Sequence, residues 1–169
     1  SLLGDPVGGR LFHDLRERQG LAYIIGARVS PEGRLVVSTQ ARHERVVALL
    51  RGIEAHFGAL VNQPVLGCES DRLAERFFGA MDLESSRPDE RAARLRFDWA
   101  LRGVPLSEAE RRRGIEEAAD DLDRVAQQYL SGPPRIVLVG DAEWLERDLS
   151  RAFPTRSIEV YESAGAEEP

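Results

Sequence analysis

The 169-residue chain is 42% hydrophobic and 31% charged, which suits a globular domain able to bury a sizeable core. Its net charge of −6 argues against nucleic acid as a partner, because duplex binding draws on a basic surface. Cys68 is the lone cysteine, which excludes an internal disulfide and a multi-cysteine zinc site, and no apolar run approaches the ~18–20 residues of a membrane span.

All 23 basic residues are arginine, a pattern of genome composition more than of function. The single methionine is Met81, so no initiator opens the chain, and it reads as a piece of a longer protein. A signal ahead of Ser1 would escape notice, so localisation is left open.

In chain order, a first helix is predicted from about Gly8 to Gln19, with Leu11, Phe12 and Leu15 on one face and Gly20 as the C-terminal cap. Residues 21–30 and 34–42 are rich in β-branched side chains and are separated by Pro31-Glu32-Gly33. They read as two antiparallel strands in a hairpin. Leu35, Val37 and Thr39 alternate with Val36, Ser38 and Gln40, as a sheet with one covered face requires.

From His43 the period becomes helical, with a stripe of Val46, Val47, Leu50, Ile53, Glu54 and Phe57 ending at Gly58. A second helix over 66–84 turns Leu73, Phe77, Phe78 and Met81 inward. A third begins after Arg87, with Pro88 at an early position and Gly103 past the end. Ser107 is an N-cap, and residues 120–130 form a further helix. Residues 133–141 read as a buried strand, 142–153 as a helix, 156–162 as a last strand and 163–169 as a disordered tail. Strands at both ends with helices massed between them predict an α+β fold, with helices packed on one face of a mixed, mostly antiparallel sheet.

Much of the functional information is negative. His13, His43 and His56 are scattered, and residues 13–17 (HDLRE) place Arg16 and Glu17 where a zinc motif needs a glutamate and a second histidine. Residues 4–10 (GDPVGGR) lack the lysine and hydroxyl of a phosphate loop, so their glycines are expected to start the helix. No nucleophile elbow occurs. The run Arg111-Arg112-Arg113 is expected on a solvated helix face, balanced by Glu108, Glu110, Glu116 and Glu117. Trp99 and Trp144 read as core or edge residues, and Cys68 as a small buried hydrophobe.

One stretch is more specific. Arg10-Leu11-Phe12, Leu15-Arg16-Glu17 and Gly20-Leu21-Ala22-Tyr23, followed by two strands, resemble the second, non-zinc half of the pitrilysin/insulinase metallopeptidases, which include mitochondrial processing peptidase. The later order, through residues 120–130 to Ile136-Val137-Leu138-Val139-Gly140-Asp141, is similar too, so the resemblance covers nearly all of residues 5–161.

The resemblance implies a clamshell of paired α+β domains or subunits, one carrying an inverted zinc motif and the other supplying an arginine and a tyrosine. It makes residues 1–162 a single α+β domain, short of its first strand and part of its first helix, with roughly fifty residues upstream judged by ordinary domain size. It assigns Tyr23 to transition-state hydrogen bonding and Arg16 to positioning substrate carbonyls. No cofactor or metal belongs to this chain, and zinc sits in the partner. The implied partners are a zinc-bearing homologous domain or subunit, in a dimer or two-half chamber, and a peptide substrate. Ile24 and Ile25 depart from the smaller or polar residues common after the tyrosine in that family.

The chemistry is coherent on physical grounds. Peptide hydrolysis builds negative charge on the carbonyl oxygen, which a phenol O–H facing the metal can stabilise. A guanidinium offers several donors in a fixed fork for backbone carbonyls, and domain closure would gate the reaction. Residues 34–42 are a candidate edge for pairing with an extended peptide. Two other readings of the same chain are an inactive scaffold or assembly subunit, as core proteins of respiratory complexes are, and a peptide-binding module.

Overall fold

The computed structural model describes residues 3–5, 9–30 and 33–161. The class is α+β, as the sequence predicts. A π-helical turn, Phe12–Arg18, leads into strands β1 (Ile24–Val29) and β2 (Leu35–Gln40), then a 3-10 turn, His43–Arg45. Helices α1 (Val46–Asn62), α2 (Gly67–Ser86), α3 (Pro88–Arg102), α4 (Glu108–Asp120), α5 (Leu122–Leu130) and α6 (Ala142–Ala152) follow.

The described residues form two compact units: a hairpin unit of residues 3–55 and 134–161, and a helical unit of residues 56–133. In the hairpin unit, β1 and β2 pair antiparallel from Ile24 opposite Gln40 to Val29 opposite Leu35. Gly33 takes φ +78 at the turn and Gly20 takes φ +62 after the first helix, conformations that cost glycine little. The expected alternation along β2 is absent, since Leu35, Val36 and Val37 are all half-buried and Ser38, Thr39 and Gln40 all exposed. Burial here changes along the strand, not across it.

Leu11 and Leu15 are fully buried, and Leu15 Cδ2 occupies the notch above Gly52 of α1. Leu49, Leu50 and Ile53 of α1 and Ile25 of β1 are also buried in this unit, as are Leu3, Leu21, Ala22 and Leu149. Gly4 has a role other than starting a helix: any Cβ there would collide with the backbone of Ala27 in β1. Helical structure begins at Arg10, and Gly8 lies outside the described residues, as do Pro31, Glu32 and the tail 163–169. The α6 end is tied down by Arg51, whose guanidinium lies 5.8 Å from the Phe153 ring and donates to the Ala152 carbonyl at 3.4 Å. Arg156 pairs with Glu54 close by.

Several expectations need correction. Helix α1 does not stop at Gly58 but runs to Asn62, whose side-chain amide donates to the Gly58 carbonyl at 2.7 Å. An interior glycine costs a helix only about 1 kcal/mol, too little to end this one. Residues 133–141 and 156–162 are not strands where described; Val137 is 82% exposed and Val139 99%. A strand needs a ladder partner, and among the described residues neither segment has one.

In the helical unit, Met81 is buried as predicted, but Phe77, Trp99 and Cys68 are exposed. The arginine run is no mere solvated face: Arg111 pairs with Glu84 at 3.1 Å, and Arg112 bridges Asp82 at 2.5 Å and Glu108 at 3.2 Å, joining α4 to α2. Pro88 opens α3, and Gly103 at φ +72 ends it. Ser107 forms the N-terminal capping box of α4, accepting from the Glu110 N–H at 3.2 Å while its own hydroxyl donates to the Glu110 carboxylate at 2.6 Å.

Two predictions follow from this packing. Gly52→Ala places a methyl 2.5 Å from Leu15 Cδ2 and lowers stability, while Leu15→Ala costs about 2–5 kcal/mol by leaving a cavity. In chemical denaturation the double variant loses at least about 1 kcal/mol less than the two losses summed, whereas additive losses would mean that Leu15 is not seated on Gly52. Separately, the Ser107 hydroxyl, and after it the Ser107 backbone N–H, hold the Glu110 carboxyl below its ordinary value of 4.5. With the folded-state pKa the lower of the two, the stabilisation is complete above 4.5 and fades as pH falls through the folded value. Ser107→Ala should therefore reduce thermal stability at neutral pH and lose less on acidification than the parent; parallel acid curves would refute the coupling.

Candidate functional site

Tyr23 stands where the π-helical turn hands over to the hairpin. Its position is fixed on both sides by backbone hydrogen bonds: the Leu21 N–H donates to the Leu15 carbonyl at 2.8 Å, and the Tyr23 N–H donates to the Gln40 carbonyl at 2.8 Å. Leu21 and Ala22 are buried, so the chain is anchored immediately before the tyrosine emerges, 56% exposed. The π turn itself is marked by the Gln19 N–H reaching the Asp14 carbonyl, five residues back, at 2.9 Å. Such turns are rare and are frequent at functional sites.

The phenol oxygen of Tyr23 accepts a hydrogen bond from Arg42 Nε at 2.7 Å, and the Arg42 guanidinium carbon lies 5.9 Å from the ring centroid. Hydrogen bonding to Tyr23 is the chief reason that the Arg42 pKa is raised above its ordinary value, with charge interactions from the Tyr23 phenol and then Glu44 adding to it. Arg42 carries no motif of its own in the sequence, and the strand register is what brings it to Tyr23. The strand pairing keeps partner numbers summing to 64, so a step past the ladder sets residue 23 opposite 41, next to Arg42.

Arg16 is placed differently. Its guanidinium lies 4.6 Å from the Phe12 ring centroid, and its Nη1 is 3.3 Å from Glu17 Oε1. Tyr23 pairs with Arg42, while Arg16 sits on the preceding π-helical turn.

Beside Tyr23 is an open hollow of about 220 Å³, lined by Gly20, Leu21, Ala22, Tyr23, Arg42 and Arg45. No carboxylate is among the described residues that line it. The Arg45 guanidinium makes no hydrogen bond or ion pair with the described residues, and the nearby Glu44 carboxylate is 3.2 Å from His43 Nε2. His43 itself packs edge-on against Trp144, with ring centroids 4.9 Å apart. Among the described residues no three His, Cys, Asp or Glu side chains are grouped as a metal ion requires.

The helical unit has a larger cavity, about 370 Å³, whose charges oppose one another: Arg91, Arg94 and Arg111 face Glu84, Asp98 and Glu108. Asp98 is only 3% exposed; it accepts from the Leu106 N–H at 3.4 Å and lies 3.7 Å from Arg94 Nε. That carboxylate links α3 to the start of the next segment, and the arrangement is structural. No helix of the described residues is long and apolar enough to cross a membrane. No protein-family model matches this chain, and neither does any curated protein.

Proposed function

We propose that the chain is the non-catalytic half of a pitrilysin-type zinc metallopeptidase, closing over a zinc-bearing partner domain or subunit during peptide hydrolysis. The observation that carries the reading is the exposed Tyr23 phenol, anchored by backbone bonds on either side and set seven residues after Arg16 within the Arg10-to-Tyr23 motif.

Zinc in the partner would supply the activated water when bound there. In this chain, Tyr23 donates its hydroxyl proton in a hydrogen bond to the carbonyl oxygen on which negative charge develops. Arg42 donates to the phenol oxygen, so the hydroxyl proton is left for the substrate instead of being spent inside the protein. Arg16, half-exposed and paired to Glu17 through one nitrogen, keeps its other donors for substrate backbone carbonyls. Among the described residues β2 has no strand beside it other than β1, so its outer edge is offered to an extended peptide.

A second reading is an assembly subunit of the same fold that has lost peptidase work. It is favoured by the exposure of Phe97 and Leu101, one turn apart on α3, apolar surface suited to a partner chain.

Turnover separates the two. Mixed with its zinc-bearing partner, the chain should cleave peptides that neither component cleaves alone. Tyr23→Phe should lower kcat about 10²-fold with little change in KM, as loss of an oxyanion donor does. Arg16→Ala should act mainly through a raised KM. Unchanged turnover in Tyr23→Phe overturns the assigned role, and a stable complex without cleavage favours the assembly subunit.

A further inference from the structure

The hollow at the base of the hairpin is unlike the cavity of the helical unit in one respect: its cations are not answered by carboxylates in its lining. Arg42 and Arg45 stand three residues apart across the 3-10 turn His43–Arg45, joined by the Arg45 N–H donating to the Arg42 carbonyl at 2.9 Å. Tyr23 engages Arg42 through Nε, so both terminal nitrogens of that guanidinium are left over. These two nitrogens are the pair whose spacing matches the two oxygens of a carboxylate. Arg45 adds a second guanidinium with no partner among the described residues, and Leu21 and Ala22 give the hollow a fixed apolar floor.

We propose that this hollow binds a carboxylate of a peptide, gripped by Arg42 and Arg45 and bounded by the Tyr23 ring. The inference rests on the peptide-substrate part of the function proposed above and extends it to a substrate class: peptides with an anionic group close to the residue that Tyr23 addresses. The overall charge of −6 sharpens the point. An acidic peptide is disfavoured by the net negative charge, so its selection needs a local positive site with no carboxylate among its described lining residues, Glu44 lying beside Arg42 but outside that lining. Two sources supply the same chemistry, an internal Asp or Glu side chain and a free C-terminal carboxylate.

The test uses the chain alone, so that it is independent of zinc and of cleavage. The isotope-labelled protein is titrated with three pentapeptides while the amide signals of Ala22, Tyr23 and Arg45 are followed. These are a doubly blocked peptide with a central Asp, the same peptide with Asn, and an all-Ala peptide with a free C-terminus. One or both carboxylate peptides should bind about fivefold or more tightly than the Asn peptide, the gain expected of charge-assisted contacts at an exposed site. The preference should fall at high salt and vanish in Arg45→Gln, whose exposed side chain leaves the fold unchanged by circular dichroism. Whichever carboxylate peptide shows the gain identifies the source.

Equal affinity for the Asp, Asn and free-terminus peptides, no detectable binding, or a preference that survives Arg45→Gln overturns the site. Failure here with turnover intact removes the carboxylate site and spares the peptidase reading. Selectivity here without cleavage in the zinc-bearing mixture does the reverse.

Discussion

The seat of Leu15 over Gly52 governs the geometry of the hairpin unit. Its side chain occupies space that a Cβ at position 52 of α1 would take, and its carbonyl accepts from the Leu21 N–H. One residue thus ties the π-helical turn sideways to α1 and lengthwise to the segment entering β1. Leu11, one turn earlier, is also fully buried. With Leu21 and Ala22 held, Tyr23 has its backbone position set before its side chain reaches solvent. A phenol meant to meet developing charge needs this kind of fixed approach, because a donor that must first find its place gives back in ordering what it gains in contact.

The local signals in the sequence translated well wherever the structure is decided locally. The hairpin, the left-handed glycines at 20 and 103, the proline opening α3 and the Ser107 cap all rest on conformational preferences of one or a few residues. Where the outcome depends on distant partners, pattern was a poorer guide. Residues 134–139 carry the β-branched composition of a buried strand, yet Val139 is almost fully exposed because no neighbouring strand completes a ladder among the described residues. Gly58 looked like a stop, but a stop requires an alternative set of bonds for the chain, and Asn62 supplies the helix's own end four residues later. The π turn has no sequence signature that a heptad-like pattern would reveal, because an i to i+5 bond leaves Leu11 and Leu15 both inward.

The same division explains the candidate site. Arg16 and Tyr23 were legible as residues, and their contacts were not. An arginine has enough reach to choose among several partners, and Arg16 rests on Phe12 and Glu17, both within four residues of it. Arg42 reaches Tyr23 across the hairpin, a contact nineteen residues apart in sequence but settled by strand register. Pairing register carries information over longer distances than helical spacing does, and it is the feature from which a partner for Tyr23 can be deduced.

Charge is distributed to opposite effect in the two units. In the helical unit arginines and carboxylates alternate across the contacts of α2 with α4 and around Asp98, so that charge holds helices together and little field escapes. At the hairpin base the balance is broken, since Tyr23 takes one edge of Arg42 without neutralising it and Arg45 is left open. A phenol oxygen can accept from a guanidinium, leave its charge intact and still keep its own hydroxyl proton to donate. The Tyr23–Arg42 pair therefore couples two properties in a single contact: a guanidinium oriented without loss of its charge, and a phenol whose hydroxyl proton is not spent on Arg42.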